Sequence, residues 1–259
     1  MDTKISAFLF ALGLLVGMYV FLEAGRLLGR RRKAKPDHED HAGFSAAQGA
    51  IFGLFGLLVA FTFYGAASRF DSRRQLIDEE ANAIGTAYLR LDLLSTGAQP
   101  SLRELFRRYV DSRLQVYRNL PDIAAAKAEL AHSAMIQRDI WKQAIAASRL
   151  PDSHPDSAKL LLPALNTMID IAATRTMASR IHPPVVVFWL LFVLGLGCSL
   201  LAGYGMAINT RRNWLHIVLF VASVAVCAYT ILDIEYPRRG LIQLTEYDQV
   251  LVELKDSMR

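Results

Sequence analysis

The chain has 259 residues, 53% of them hydrophobic, with a formal net charge of +5 from 29 basic and 24 acidic side chains. A mean hydropathy of +0.26 exceeds that of an ordinary soluble domain. Much of the basic excess flanks apolar runs, where it serves membrane orientation and attraction to anionic headgroups, so nucleic acid is not an expected partner.

Crossing a hydrocarbon core takes about 20 apolar residues in helical form. Four runs meet that length, at about residues 5–22, 46–67, 184–207 and 214–232. The first ends in Glu23 and a basic cluster without a small-x-small cleavage site, so it reads as a retained span rather than a signal peptide. Tyr64, Tyr204, Trp214 and Tyr229 fall near span ends, where amphipathic rings are favoured. The expected fold is all-α: an integral membrane protein with four transmembrane helices and a helical-bundle insert between the second and third. The expected domains are a first transmembrane hairpin (1–67), a helical polar domain (68–182), a second transmembrane hairpin (183–233) and a C-terminal tail (234–259).

The connection after the first span carries Arg26, Arg30, Arg31, Arg32, Lys33 and Lys35, then the polar stretch Pro36 to His41. The third and fourth spans are joined by a turn with Arg211 and Arg212. These eight cations outnumber Lys4, Arg238 and Arg239 on the opposite side, so the charge rule places both hairpin loops in the cytoplasm.

Past the second span no helix breaker intervenes for a long distance, and Ile77, Ala81, Ile84, Tyr88 and Leu91 recur at steps of four and three. That spacing predicts one helix continuing out of the bilayer, with Arg73, Arg74, Asp78 and Glu79 on its polar face. It should stop at Ser95-Thr96-Gly97. A capping box of Ser101 and Glu104 is expected to open the next helix, whose buried side is Leu102, Leu105, Phe106, Tyr109, Val110, Val116, Tyr117 and Leu120. Pro121-Asp122 restarts the chain into a helix reaching about Arg149, with Leu130, Ala134, Trp141 and Ala144 on one face. The last polar helix spans about 156–180, with Pro163 predicting a kink or a late start.

No catalytic constellation is visible, and the chain is not expected to be an enzyme or to hold a cofactor. His38, Glu39, Asp40 and His41 crowd together, yet nothing pre-organises them into a metal cage, so they read as a solvated linker and no metal site is expected. Both cysteines lie in apolar runs and build no disulfide framework. Gly13 and Gly17, and Gly49, Gly53 and Gly56, have spacings that let helices approach closely, within one subunit or between subunits. Phe52, Phe55, Phe61 and Phe63 face lipid or line a hydrophobic constriction, and Phe52, Phe55 and Phe63 are the pore or gate candidates. A boundary charge cluster of Arg69, Arg73, Arg74, Asp233, Arg238 and Arg239, with Glu235 nearby, forms either a salt-bridged collar or a vestibule for ions or lipid headgroups.

The segment from Glu79 to Arg90, preceded by Ala60-Phe61-Thr62-Phe63 and Ser68-Arg69-Phe70-Asp71, resembles a family of bacterial membrane proteins classed as bestrophin-like. The closing Leu232-Asp233-Ile234-Glu235-Tyr236-Pro237-Arg238-Arg239-Gly240 is similar to that family's C-terminal signature, although Glu235 and Tyr236 depart from its expected pattern. Glu80, Asn82, Arg90, Pro237 and Gly240 are the motif residues. The resemblance implies a multi-pass protein of a bacterial inner membrane, with lipid as its surroundings, assembling as a homo-oligomeric anion channel. It also implies termini and helical region in the cytoplasm, opposite to the charge count. The alternative is a non-conducting membrane scaffold or sensor.

Overall fold

The computed structural model describes residues 3–32, 39–120, 122–207, 214–237, 241–242, 244 and 246–258. Among these, all regular structure is helical. Eight α-helices follow in order: α1 (Thr3–Arg32), α2 (Glu39–Leu89), α3 (Gln99–Arg118), α4 (Ile123–Ala147), α5 (Ser157–Ala178), α6 (Val185–Met206), α7 (Trp214–Glu235) and α8 (Gln249–Ser257), with a 3-10 turn at Arg90–Leu93. Four are long and apolar enough to cross a membrane: α1, α2, α6 and α7.

The chain divides into two compact units, one of residues 1–70 and 182–242, the other of 71–181 and 243–259. In the first, the membrane unit, Leu14, Met18 and Leu22 of α1 pack with Phe55 and Ala66 of α2, Leu191 and Cys198 of α6, and Ile217, Val221 and Ala228 of α7. Lipid is as apolar as these side chains, so their association depends on close packing rather than on escape from water. The closest approach is backbone to backbone between α1 and α6. A Cβ on Gly203 would stand 1.9 Å from the Leu22 carbonyl oxygen, and one on Gly25 would stand 2.0 Å from that of Leu200. Gly29 meets Tyr204 and Ala207 in the same way. Of the glycines singled out by spacing, Gly17 would press on Leu196, while Gly13, Gly49, Gly53 and Gly56 have open space beside them.

The second unit is polar outside and apolar within. Ile77, Ala81, Ile84, Tyr88 and Leu91 are all buried, as their four-and-three spacing requires, in a core shared with Leu102, Phe106 and Tyr109 of α3, Ile140 of α4 and Leu161 and Leu165 of α5. α3 packs on α4 and α4 on α5. Two local expectations are corrected and one is narrowed. α3 begins at Gln99 with Pro100 in its first turn, and the Ser101 hydroxyl donates to the Ala98 carbonyl, so no capping box forms. α4 is rotated: Ser133, Ile136, Ile140 and Ala144 face the core, while Leu130, Ala134 and Trp141 flank it half-buried, because Ile136 and Ile140, one turn apart, set the inward face. α5 starts at Ser157, close to the expected start, and runs through Pro163, which excludes the late start and leaves the kink of the two alternatives. Asp122 does cap α4, accepting from the amides of Ala124 and Ala125.

The polar unit also recruits the C-terminal tail, in which α8 forms. α8 packs on α3. Tyr88 Oη and Arg107 Nε both donate to the Met258 carbonyl, Lys255 pairs with Asp111 at 2.6 Å, and Arg74 lies over the Tyr247 ring at 5.1 Å. α8 is too short to be stable alone, so these contacts are what hold it helical.

Candidate functional site

In the membrane half of α2, one face is occupied by the chain itself and another is not. Phe55 is buried and would lie within 3.6 Å of a Cβ at Gly195, and Phe52 is half-buried with its ring 5.8 Å from that of Phe220. Phe63 is exposed, as are Leu54, Leu57, Phe61 and Tyr64. Gly49, Gly53, Gly56 and Ala60 share that uncovered side at helical spacing. Thus two of the three gate candidates are occupied in packing within the chain and one, Phe63, is presented outward.

The boundary charges separate into distinct attachments. Arg69 donates to Glu235 from Nε at 2.9 Å and from Nη2 at 2.7 Å, a two-pronged grip on a carboxylate that is fully buried. His182 Nδ1 lies 3.0 Å from the same carboxylate, and its ring stacks on Tyr236 at 4.7 Å. Asp233 accepts from the amides of Leu241, at 3.0 Å, and Ile242, at 2.8 Å, tying down the chain beyond Pro237. In the polar unit, Arg73 donates to the carbonyls of Ala178 and Ile181, where the helix signal of α5 runs out and carbonyls lack partners. Arg238, Arg239 and Gly240 lie outside the described residues, as do His38 and the turn with Arg211 and Arg212. Glu39, Asp40 and His41, read as linker, belong to the start of α2.

The motif on α2 splits by direction. Glu80, beyond the apolar stretch and wholly buried in the polar unit, is the centre of an ionic network: Oε1 accepts from Arg113 Nε at 2.5 Å and Oε2 from Arg175 Nη1 at 2.5 Å. Arg175 Nη2 continues to Asp248 at 2.7 Å, and Arg113 Nη2 donates to Tyr117 Oη at 2.9 Å. Both guanidinium groups lie over the Tyr117 ring, Arg175 at 3.8 Å. Burial alone raises the Glu80 pKa, but the two guanidinium groups outweigh it and hold the carboxyl below its ordinary value. Burial disfavours the Arg113 cation as well, yet Glu80 raises its pKa further, so the pair stays ionised. The outward motif residues Asn82, Thr86 and Arg90 line an open groove of about 430 Å³ against Pro163, Ala164, Thr167 and Ile171 of α5, and Arg90 Nη1 donates to the Leu160 carbonyl. Among the described residues, no three His, Cys, Asp or Glu side chains gather as metal ligands do.

Sequence reasoning placed Glu80 in a motif without its partners. The signal was available: Glu80 stands three residues after Ile77 and four before Ile84, inside the apolar stripe. Arg113 occupies the same kind of position between Tyr109 and Tyr117, and Arg175 follows Ala172 by one turn. A charge on an apolar stripe requires a partner in the core.

Four membrane-length helices and a helical unit locked by buried ion pairs define a multi-pass α-helical membrane protein. The model of the bestrophin-like domain matches residues 8–247, nearly the whole chain, and the protein belongs to that family. Neither a curated protein nor a solved structure matches the chain.

Proposed function

We propose that the protein is a homo-oligomeric, anion-conducting channel of a bacterial inner membrane, in which copies of α2 surround the path. The observation that carries this reading is the uncovered face of α2. Gly49, Gly53, Gly56 and Ala60 are small enough for helices of several copies to approach, and Leu54, Phe61, Phe63 and Tyr64 beside them are exposed among the described residues. A ring of such aromatic side chains forms a constriction that gates by dewetting. Membership of the bestrophin-like family supports the same reading by analogy. The reading assigns the chain no catalytic role. Sidedness follows the charge count, with both hairpin loops in the cytoplasm.

A second reading, a non-conducting scaffold or sensor, is favoured by one observation. The basic residues at the exit of α2 are engaged: Arg69 grips Glu235, Arg73 holds two carbonyls and Arg74 covers Tyr247. Cations so occupied attract a passing anion less than free ones.

Self-association through α2 is tested by replacing Cys198 and Cys227 and introducing Leu57→Cys or Tyr64→Cys, exposed positions beside the glycines, in the full chain. Oxidation in native membranes should yield covalent dimers from these positions. Monomer only, with the protein folded and inserted, would contradict an α2-lined assembly.

A further inference from the structure

In the membrane unit, the buried face of α1 runs Leu14, Met18, Leu22, Gly25, Arg26, Gly29, so an arginine interrupts a stripe of apolar and small residues. Arg26 is only 3% exposed, one turn beyond the apolar run that ends at Leu22. Its Nε and Nη1 are buried and have no hydrogen-bond acceptor among the described residues. Glu23 Oε1 stands 3.5 Å from Nη1, which is close enough for attraction between charges but not for a hydrogen bond. A buried guanidinium with two unfilled donors is among the costlier arrangements a protein can hold, and it persists where something outside the chain completes it.

We infer that Arg26 is the recognition group of a binding site for an oxyanion of the phosphate class at the headgroup level of the membrane unit. Three features select this chemistry. Guanidinium N–H groups match phosphate oxygens better than any other common acceptor at that depth. The protein itself covers almost all of the side chain, so the acceptor is small: one oxygen of a phosphate group inserted among helix ends, not a folded partner. Finally, Arg30 and Arg31, one turn further along α1, are exposed, a basic approach that concentrates anions beside the site. The close glycine contacts of α1 with α6 hold the helix ends together around it, since Gly25 and Gly29 bracket Arg26. The same chemistry comes from two sources, an anionic lipid headgroup or free phosphate.

The test uses full-length protein in neutral detergent, with thermal unfolding followed on addition of phosphatidylglycerol, phosphatidylcholine or inorganic phosphate. Phosphatidylglycerol should raise Tm in a saturable way and phosphatidylcholine should not; a comparable rise with inorganic phosphate alone would identify a free oxyanion as the ligand. Arg26→Met, which removes the unfilled donors and keeps the stem, should abolish the shift without lowering the ligand-free Tm, while Arg30→Gln should keep most of it. Should Arg26→Met fail to fold, Glu23→Gln answers instead: losing the competing carboxylate should tighten the anionic probe several-fold. An equal shift in Arg26→Met, an equal response to phosphatidylcholine, or unchanged affinity in Glu23→Gln would overturn the inference.

Discussion

Glu80 and Arg113, thirty-three residues apart, meet at 2.5 Å between Oε1 and Nε, with neither side chain more than 2% exposed. Arg175 closes on the other carboxylate oxygen and reaches Asp248, so one buried carboxylate joins α2, α3, α5 and the segment leading into α8. Removing a single member of such a network leaves the others charged in a dry interior. Glu80→Gln should therefore destabilise the polar unit by about 3–5 kcal/mol. Hydrogen exchange of the full chain in detergent reads this directly, as faster exchange in α3 and α5 with the membrane helices unchanged.

The same carboxylate makes stability depend on pH with a definite sign. Its folded pKa lies below the ordinary 4.5, so the unfolded chain takes up the proton first as pH falls. The stabilisation is fully present above about 4.5 and is lost as pH drops through the folded value. Between pH 7 and strongly acidic conditions, the Tm gap between the native chain and Glu80→Gln should narrow; a constant gap would assign the acid response elsewhere.

Gly203→Ala places a methyl group 1.9 Å from the Leu22 carbonyl oxygen, which cannot move without displacing α1. Over-packing of this kind costs about 1–3 kcal/mol or more. Gly53→Ala meets nothing within 4 Å in the chain and should leave the monomer's stability unchanged while weakening assembly. Thermal unfolding and size measurement of the two variants separate packing within one chain from packing between copies.

Asp233→Ala frees the amides of Leu241 and Ile242 beyond Pro237. Leu241 and Ile242 are exposed, so water can take up the freed amides and the loss is that of the hydrogen bonds themselves, about 0.5–1.5 kcal/mol; limited proteolysis should then cut between α7 and α8 faster than in the native chain. Substitutions across His38 to His41 should have much less effect on folding. Equal sensitivity of the two regions would contradict the role given to Asp233.

The membrane spans were legible because length and apolarity alone mark them, and the long α2 because no Gly-Pro signal interrupts the stretch after Ala67. The apolar stripe from Ile77 to Leu91 was legible for the same reason. Partnerships were not: Glu80 finds Arg175 across ninety-five residues, and Arg69 finds Glu235 across one hundred and sixty-six, and no periodicity encodes such pairings. Which glycines touch was also hidden, since Gly53 and Gly203 look alike in sequence and only the crossing of α1 and α6 distinguishes them. Charges falling on apolar stripes, Arg26 among them, are the one local sign that pointed to these sites.

Chloride and sodium flux through liposomes containing the purified protein tests the central claim most directly. The account predicts protein-dependent flux that favours chloride and changes when Phe61, Phe63 and Tyr64 are replaced by alanine. No flux from folded, inserted and assembled protein would contradict conduction and leave the scaffold or sensor as the reading.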